Sequence, residues 1–113
     1  MYGALIFMLA MRAAAADEPA PPRCDAAALE QAGNDAWSQG LQTQALEHYE
    51  KALRCEPSEA RVLKAGFAVC ELYQHGRSET YVTKAKHYYE LLKRDDNKQK
   101  LAQFCVPRCR LEF

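Results

Sequence analysis

The sequence lacks most of the features that would identify an enzyme or a membrane-spanning protein. It contains no G-x-S-x-G elbow, no phosphate-binding glycine loop, no H-E-x-x-H and no calcium-loop pattern. No run reaches the about 18 apolar residues of a transmembrane helix. With 15 basic and 15 acidic residues, no charge excess favours nucleic acid or an anionic membrane. We therefore expect no catalytic residues, no cofactor, no metal, no small-molecule substrate and no nucleic-acid partner.

The first residues are typical of an export signal. Residues 2–11 form an apolar run, and Ala14 and Ala16 supply the small residues that signal peptidase accepts. The usual positive charge before the run is missing, so an uncleaved anchor, which would contact the membrane, and a disordered or helical tail stay as alternatives. We predict a signal peptide over 1–16 and, because prolines follow, an extended leader over 17–24.

Five cysteines follow the predicted cleavage point: Cys24, Cys55, Cys70, Cys105 and Cys109. In an exported chain, this frequency favours disulfides over metal or redox chemistry. The chain has no C-x2-C pair, and its histidines show no ligand spacing with the cysteines. Structural disulfides are the preferred interpretation, with buried free thiols and a metal or redox function as alternatives.

Apolar residues recur with a helical period of about 3.6 from Asp25 onward, which predicts an all-α fold. The expected helices span 25–39, 43–55, 59–75, 79–94 and, in a shorter fifth element, 98–105. The expected N-caps, which accept bonds from unpaired first-turn amides, are Asp25, Thr43 and Ser58. The expected helix-ending residues are Gly40, Gly76 and Pro57.

The helices contain an internal repeat. Gly33 and Gly66 occupy equivalent positions in the first and third helices, and Ala45 and Ala85 do so in the second and fourth. Small residues allow two helices to approach closely, and an aromatic residue four positions after each alanine can fill the gap beyond. The sequence therefore predicts two tight helical hairpins.

The repeat resembles the tetratricopeptide repeat family. Residues 26–57 match the family's 34-residue pattern, mainly through the run AGNDAWSQGLQTQALEHYEKALRCEP. The second unit is looser, with about seven extra residues near 76–83 and Asp95-Asp96-Asn97 in place of the closing proline. The resemblance covers roughly 26–105 and implies a right-handed stack of antiparallel helix hairpins, two repeats plus a short C-terminal capping helix.

The resemblance also implies a concave groove, lined by the first helix of each pair, that binds a peptide or a partner helix. The corresponding groove residues are Glu30, Asn34, Trp37, Ser38, Leu63, Phe67, Cys70 and Glu71. One subgroup of the family grips a C-terminal carboxylate with lysines and asparagines. Asn34 fits that pattern, but Glu30 stands where a lysine is needed and Phe67 replaces the second asparagine. We therefore expect an apolar-aromatic groove, since Glu30 would repel a carboxylate.

In such a stack, the start of the first helix lies beside the end of the second, and the fifth helix runs parallel to the third. We therefore expect disulfides Cys24–Cys55 and Cys70–Cys105, with Cys109 free. These cross-links would stabilise a core that two repeats leave marginal. The helical domain is expected over 25–105, with a tail over 106–113.

Three functional hypotheses follow. The first is an adaptor that binds a protein or peptide in the cell envelope. The cysteine layout is similar to that of small exported repeat proteins of Gram-negative bacteria, which implies a periplasmic or secreted location. The second hypothesis is a small thiol protein with a redox or metal-handling role through Cys105 and Cys109. The third is a structural homo-oligomer formed through an open end of the stack.

Overall fold

A computed structural model describes residues 24–109, and all regular structure within that range is helical. The five helices are α1 (Ala26–Ser38), α2 (Gln42–Cys55), α3 (Glu59–Gly76), α4 (Glu79–Leu91) and α5 (Asp95–Cys109). The all-α prediction is confirmed. The predicted signal peptide, nearly all of the leader and the end of the predicted tail lie outside the described residues. Among these five helices, none combines the length and the apolar character needed to cross a bilayer.

Short-range signals explain most helix boundaries. The Asp25 carboxylate accepts a hydrogen bond from the Ala28 amide at 3.1 Å, and the Ser58 hydroxyl accepts one from the Arg61 amide at 3.1 Å. Both predicted N-caps are therefore confirmed. Gly40 has a φ of 77°, so it supplies the left-handed residue that ends α1.

The predicted N-cap Thr43 is wrong. Helix α2 begins one residue before Thr43, and Leu41, which precedes it, makes no side-chain capping bond. Thr43 thus lies inside the first turn. Helix α3 ends at Gly76, as expected, but the left-handed residue that follows is Arg77, with a φ of 56°. A nearby glycine therefore did not decide which residue reverses the chain.

Helix α5 departs furthest from the prediction, because it begins three residues earlier and ends four residues later than expected. Asp95 and Asp96, expected in a turn, form its first turn, where negative charge is favourable at the helix N-terminus. Pro107 lies in the last turn and does not end the helix. Residues 106–109 of the predicted tail are therefore helical.

Helix α3 is central to the packing, because it contacts α2, α4 and α5. Helices α1 and α2 form the first pair, and α3 and α4 form the second. The seven buried residues of α3 are Val62, Ala65, Gly66, Ala68, Val69, Cys70 and Leu72. The core therefore lies along both sides of α3, and the outer helices expose one face each.

Gly33 and Gly66 each leave a gap on the helix surface, which we call a glycine notch, and a different type of side chain fills each one. Gly33 faces the ring of Tyr49, as the hairpin prediction requires. Gly66 instead faces the side chain of Leu101 on α5, rather than an aromatic residue of α4. Leu101 is fully buried. The second notch therefore joins α3 to the last helix, and it explains why α5 lies so close to the core.

A single carboxylate on α3 organises the turn between α4 and α5. Glu59 accepts hydrogen bonds from the amides of Lys93 at 2.6 Å and Arg94 at 3.3 Å, and from the Asn97 side chain at 2.9 Å. These bonds, led by the one from Asn97, hold the pKa of Glu59 below the ordinary value of 4.5. The turn that orients α5 is thus fixed by a charge from another helix.

We expect this carboxylate to make stability depend on pH. Because its pKa is lower in the folded chain than in the unfolded chain, its contribution is present above pH 4.5 and is lost as the pH falls below that value. Urea unfolding at stepwise lower pH should therefore show a steeper loss of stability for the wild-type protein than for Glu59→Gln. Glu90→Gln, at an exposed position, is the matched control and should keep the wild-type profile. A Glu59→Gln profile parallel to that of the wild type would contradict this role.

Candidate partner-binding groove

An open cavity of about 350 Å³ lies where α1, α2, α3 and α5 meet. We call it the aromatic cavity, and its lining residues are Trp37, Tyr49, Lys64, Phe67 and Phe104. Trp37 and Phe67 are partly buried against the core, so their rings are held in place while one side faces the cavity. An apolar concavity of this size with one charged group is typical of a ligand-binding surface.

The charged group of the cavity is held by two residues of α1. The Lys64 ammonium lies 2.6 Å from a Glu30 carboxylate oxygen and 3.2 Å from the Asn34 side-chain oxygen. Arg61 reaches the other Glu30 oxygen at 3.1 Å. The hydrogen bond from Lys64, followed by the charges of both cations, lowers the pKa of Glu30 below its ordinary value of 4.5 against the effect of burial. The negative charge at Glu30 is therefore already neutralised by two neighbouring cations.

Tyr49 links this polar network to the aromatic wall. Its hydroxyl donates a hydrogen bond to the Asn34 side-chain oxygen at 2.8 Å, and its ring packs on Gly33. Burial, and secondarily the charge of Glu30, raises the pKa of Tyr49 above its ordinary value. The hydroxyl thus stays protonated as a donor, and both the ring and Lys64 are oriented by the same amide, Asn34.

A second cavity of about 350 Å³ adjoins the first and shares two of its rings. We call it the basic cavity, and its lining residues are Phe67, Lys100, Gln103, Phe104 and Arg108. The Phe67 and Phe104 ring centroids are 4.8 Å apart, and the Arg108 guanidinium lies 3.8 Å from the Phe104 centroid. The stacked guanidinium and ring pair form a rigid partition between the two cavities.

The sequence-predicted groove residues do not all fall in this groove. Trp37 and Phe67 line it directly, Glu30 and Asn34 hold Lys64, and Glu71 lies 3.5 Å from Arg108. In contrast, Leu63 packs against the core, Ser38 bonds the Asp35 carbonyl on an exposed part of α1, and Cys70 is buried in a disulfide.

Six lining residues were not predicted from the sequence: Tyr49, Lys64, Lys100, Gln103, Phe104 and Arg108. Lys64 could have been predicted from its spacing to Phe67, because residues three apart on a helix share a face. No comparable signal existed for Phe104 and Arg108. Their place in the groove depends on how α5 packs against α3, which the repeat pattern does not specify.

None of the cysteines, which all lie within the described residues, lines either cavity. The structure joins Cys24 to Cys55 and Cys70 to Cys105, with Cα–Cα distances of 5.9 and 5.4 Å, the two pairs expected from the sequence. Cys109 is a buried free thiol. Among residues 24–109, no group of three or more histidine, cysteine or acidic side chains is placed to hold a metal ion.

We expect the Cys109 thiol to react slowly in the folded protein. Burial raises its pKa from 9.0 to about 11, against a smaller opposing effect of the Arg108 charge. Since the thiolate is the reactive form, alkylation near neutral pH should be at least about a hundredfold slower than for the unfolded, disulfide-intact chain. Iodoacetamide labelling followed by mass spectrometry measures this ratio. Equal rates in the folded and unfolded protein would instead favour a thiol-based function.

Comparison with known proteins found no match: no family model matches the chain, and no curated protein or solved structure is significantly similar to it. The tetratricopeptide resemblance therefore stays a prediction, and the function must be argued from the groove itself.

Proposed function

We propose that this chain is a protein-interaction module, an adaptor that binds a peptide or a partner helix in the groove. The observation that carries the proposal is the open aromatic cavity, where rings from four helices converge beside Lys64. Exposed apolar concavities are typical of surfaces that a partner covers. In this function the chain binds and carries out no reaction.

We also propose that the helices form a tetratricopeptide-like stack of two repeats and a capping helix. Support comes from contacts between corresponding helices of the two hairpins. Glu30 of α1 pairs with Lys64 of α3, and Glu50 of α2 pairs with Lys84 of α4, each across 34 residues. That separation is the length of one tetratricopeptide repeat, as expected where one hairpin packs on the next.

The proposed location is the periplasm or the exterior of a Gram-negative cell. Two disulfides favour an oxidising compartment, which agrees with the export signal expected from the sequence. In such a compartment, an adaptor with cross-linked helices would keep its groove shape without a cofactor. Expression of the full chain followed by N-terminal sequencing of the exported product tests both the cleavage point and the location.

The groove can be tested with the chain's own fluorophore, because Trp37 is the only tryptophan and it lines the aromatic cavity. We would select tryptophan-free peptides from a random display library against the disulfide-intact protein and titrate them while following Trp37 emission. Phe67→Ala should weaken binding by at least about tenfold, since buried aromatic anchors dominate such interfaces.

Leu91→Ala is the matched control, because Leu91 is an exposed apolar residue of α4 outside both cavities. Its affinities should equal those of the wild type. Phe67→Leu, which keeps an apolar side chain but removes the ring, guards against a folding defect in the alanine variant. Selected peptides whose affinity is unchanged by both Phe67 substitutions would rule out the groove as the binding site.

A further inference from the structure

The two cavities adjoin each other, and each has its own chemistry. They share Phe67 and Phe104, so an extended segment of a few residues can fill both. The aromatic cavity presents rings and can accept a bulky apolar side chain. The basic cavity presents Lys100 and Arg108 beside the shared rings.

The charges that face the groove are cationic. Lys64, Lys100 and Arg108 line the cavities, and none of the described lining residues is acidic. Two carboxylates outside the cavity lining form ion pairs with these cations. Glu30 pairs with Lys64 and Arg61, and Glu71 pairs with Arg108 and His75.

Lys100 lies one helical turn from Asp96, whose carboxylate is bound by Arg94. Acidic side chains therefore surround the groove, while its surface offers cations to a ligand. The chain as a whole has equal numbers of basic and acidic residues, so this patch is local.

Arg108 is prepared to bind an anion. Its guanidinium is stacked 3.8 Å from the Phe104 ring centroid, and one terminal nitrogen donates to the Phe104 carbonyl at 3.0 Å. A guanidinium has five N–H donors, so this arrangement leaves donors available while fixing the plane of the group. A pre-oriented guanidinium loses little freedom on binding a carboxylate.

We propose, resting on the proposed adaptor function, that the partner segment is an acidic peptide. It places one bulky apolar side chain in the aromatic cavity and, within a few residues, an aspartate or glutamate beside Lys100 and Arg108. A segment with a cation at the second position is rejected, because it would place a like charge beside Lys100 and Arg108.

The test compares peptide selections on three proteins: the wild type, Lys100→Gln/Arg108→Gln, and the control Lys51→Gln/Lys86→Gln. The control removes two charges from exposed positions of α2 and α4. Peptides selected on the wild type and on the control should be enriched in Asp or Glu next to a bulky apolar residue. Selection on Lys100→Gln/Arg108→Gln should lose that enrichment.

A selected peptide and its Asn/Gln counterpart complete the measurement. On the wild type, neutralising the acidic residue should cost about tenfold or more in affinity, and on Lys100→Gln/Arg108→Gln less than about threefold. Equal costs on both proteins would overturn the assignment of the acid to Lys100 and Arg108.

The remaining outcomes separate this inference from the adaptor function. Peptides that depend on Phe67 but show no acidic enrichment would overturn the inference and leave the function standing. The absence of any Phe67-dependent peptide would overturn both.

Oligothymidine tests the alternative that the groove binds single-stranded nucleic acid, since aromatic rings beside cations can also stack on bases. Binding of oligothymidine as tight as that of the best peptide, and dependent on Phe67, would overturn the peptide assignment.

Discussion

Loss of the Cys70–Cys105 disulfide in a Cys70→Ala/Cys105→Ala variant should lower the free energy of unfolding by about 3–4 kcal/mol. The bond closes a segment with a sequence separation of 35, and its main effect is to restrict the unfolded chain. Cys24–Cys55 closes a separate segment with a separation of 31, so a similar loss is expected there. The two segments do not overlap, and the losses should therefore add to about 7 kcal/mol on full reduction.

Such a loss is comparable with the whole stability of a small domain, about 5–15 kcal/mol. We therefore expect the reduced protein to be largely unfolded or close to its unfolding midpoint in dilute buffer. Urea denaturation followed by circular dichroism, with and without a phosphine reductant, measures the difference. Cys109→Ala is the matched control, since it replaces a buried cysteine without removing a cross-link. If the reduced protein unfolds at the same urea concentration as the oxidised protein, the helices hold together without the disulfides.

Gly33→Ala should lower the free energy of unfolding by about 2 kcal/mol, although alanine is the better helix former. A Cβ atom at this position would lie 2.5 Å from one ring carbon of Tyr49 and 2.6 Å from another. The ring is buried and its hydroxyl is bound by Asn34, so it cannot move without losing that hydrogen bond. The cost of the overlap should therefore exceed the about 1 kcal/mol gained in helix propensity.

The matched control is Gly76→Ala, because a Cβ atom added at Gly76 meets nothing within 4 Å. This variant should be neutral or slightly more stable than the wild type. A double-mutant cycle with Tyr49→Leu isolates the contact, since Gly33→Ala should cost much less once the ring is gone. Equal stability changes for Gly33→Ala and Gly76→Ala would show that the notch is not tightly filled. Because Tyr49 also lines the aromatic cavity, Gly33→Ala should reduce peptide affinity as well.

The groove shows how far local pattern can predict a binding surface in a helical protein. Trp37 and Phe67 were predicted as groove residues because they match groove-lining positions of the tetratricopeptide repeat, and both line the aromatic cavity. Glu30 was predicted as a residue that would repel an anion. The structure places two cations on it, so its charge orders Lys64 instead of facing the ligand. A charge can be assigned a role only when its partners are known.

The sequence by itself determined the elements that depend on neighbours a few residues away. The helical period, the caps at Asp25 and Ser58 and the reversal at Gly40 all belong to this class. The pairing of Gly33 with Tyr49 joins two helices, and it was predictable because the internal repeat aligns small and aromatic residues.

The tertiary structure alone decided which helix fills the Gly66 notch and which residues of α5 complete the groove. Leu101, Phe104 and Arg108 act on residues more than thirty positions away, through the register between two helices. That register is set by side-chain volume and by the cross-link from Cys70 to Cys105, neither of which has a period that can be read along the chain.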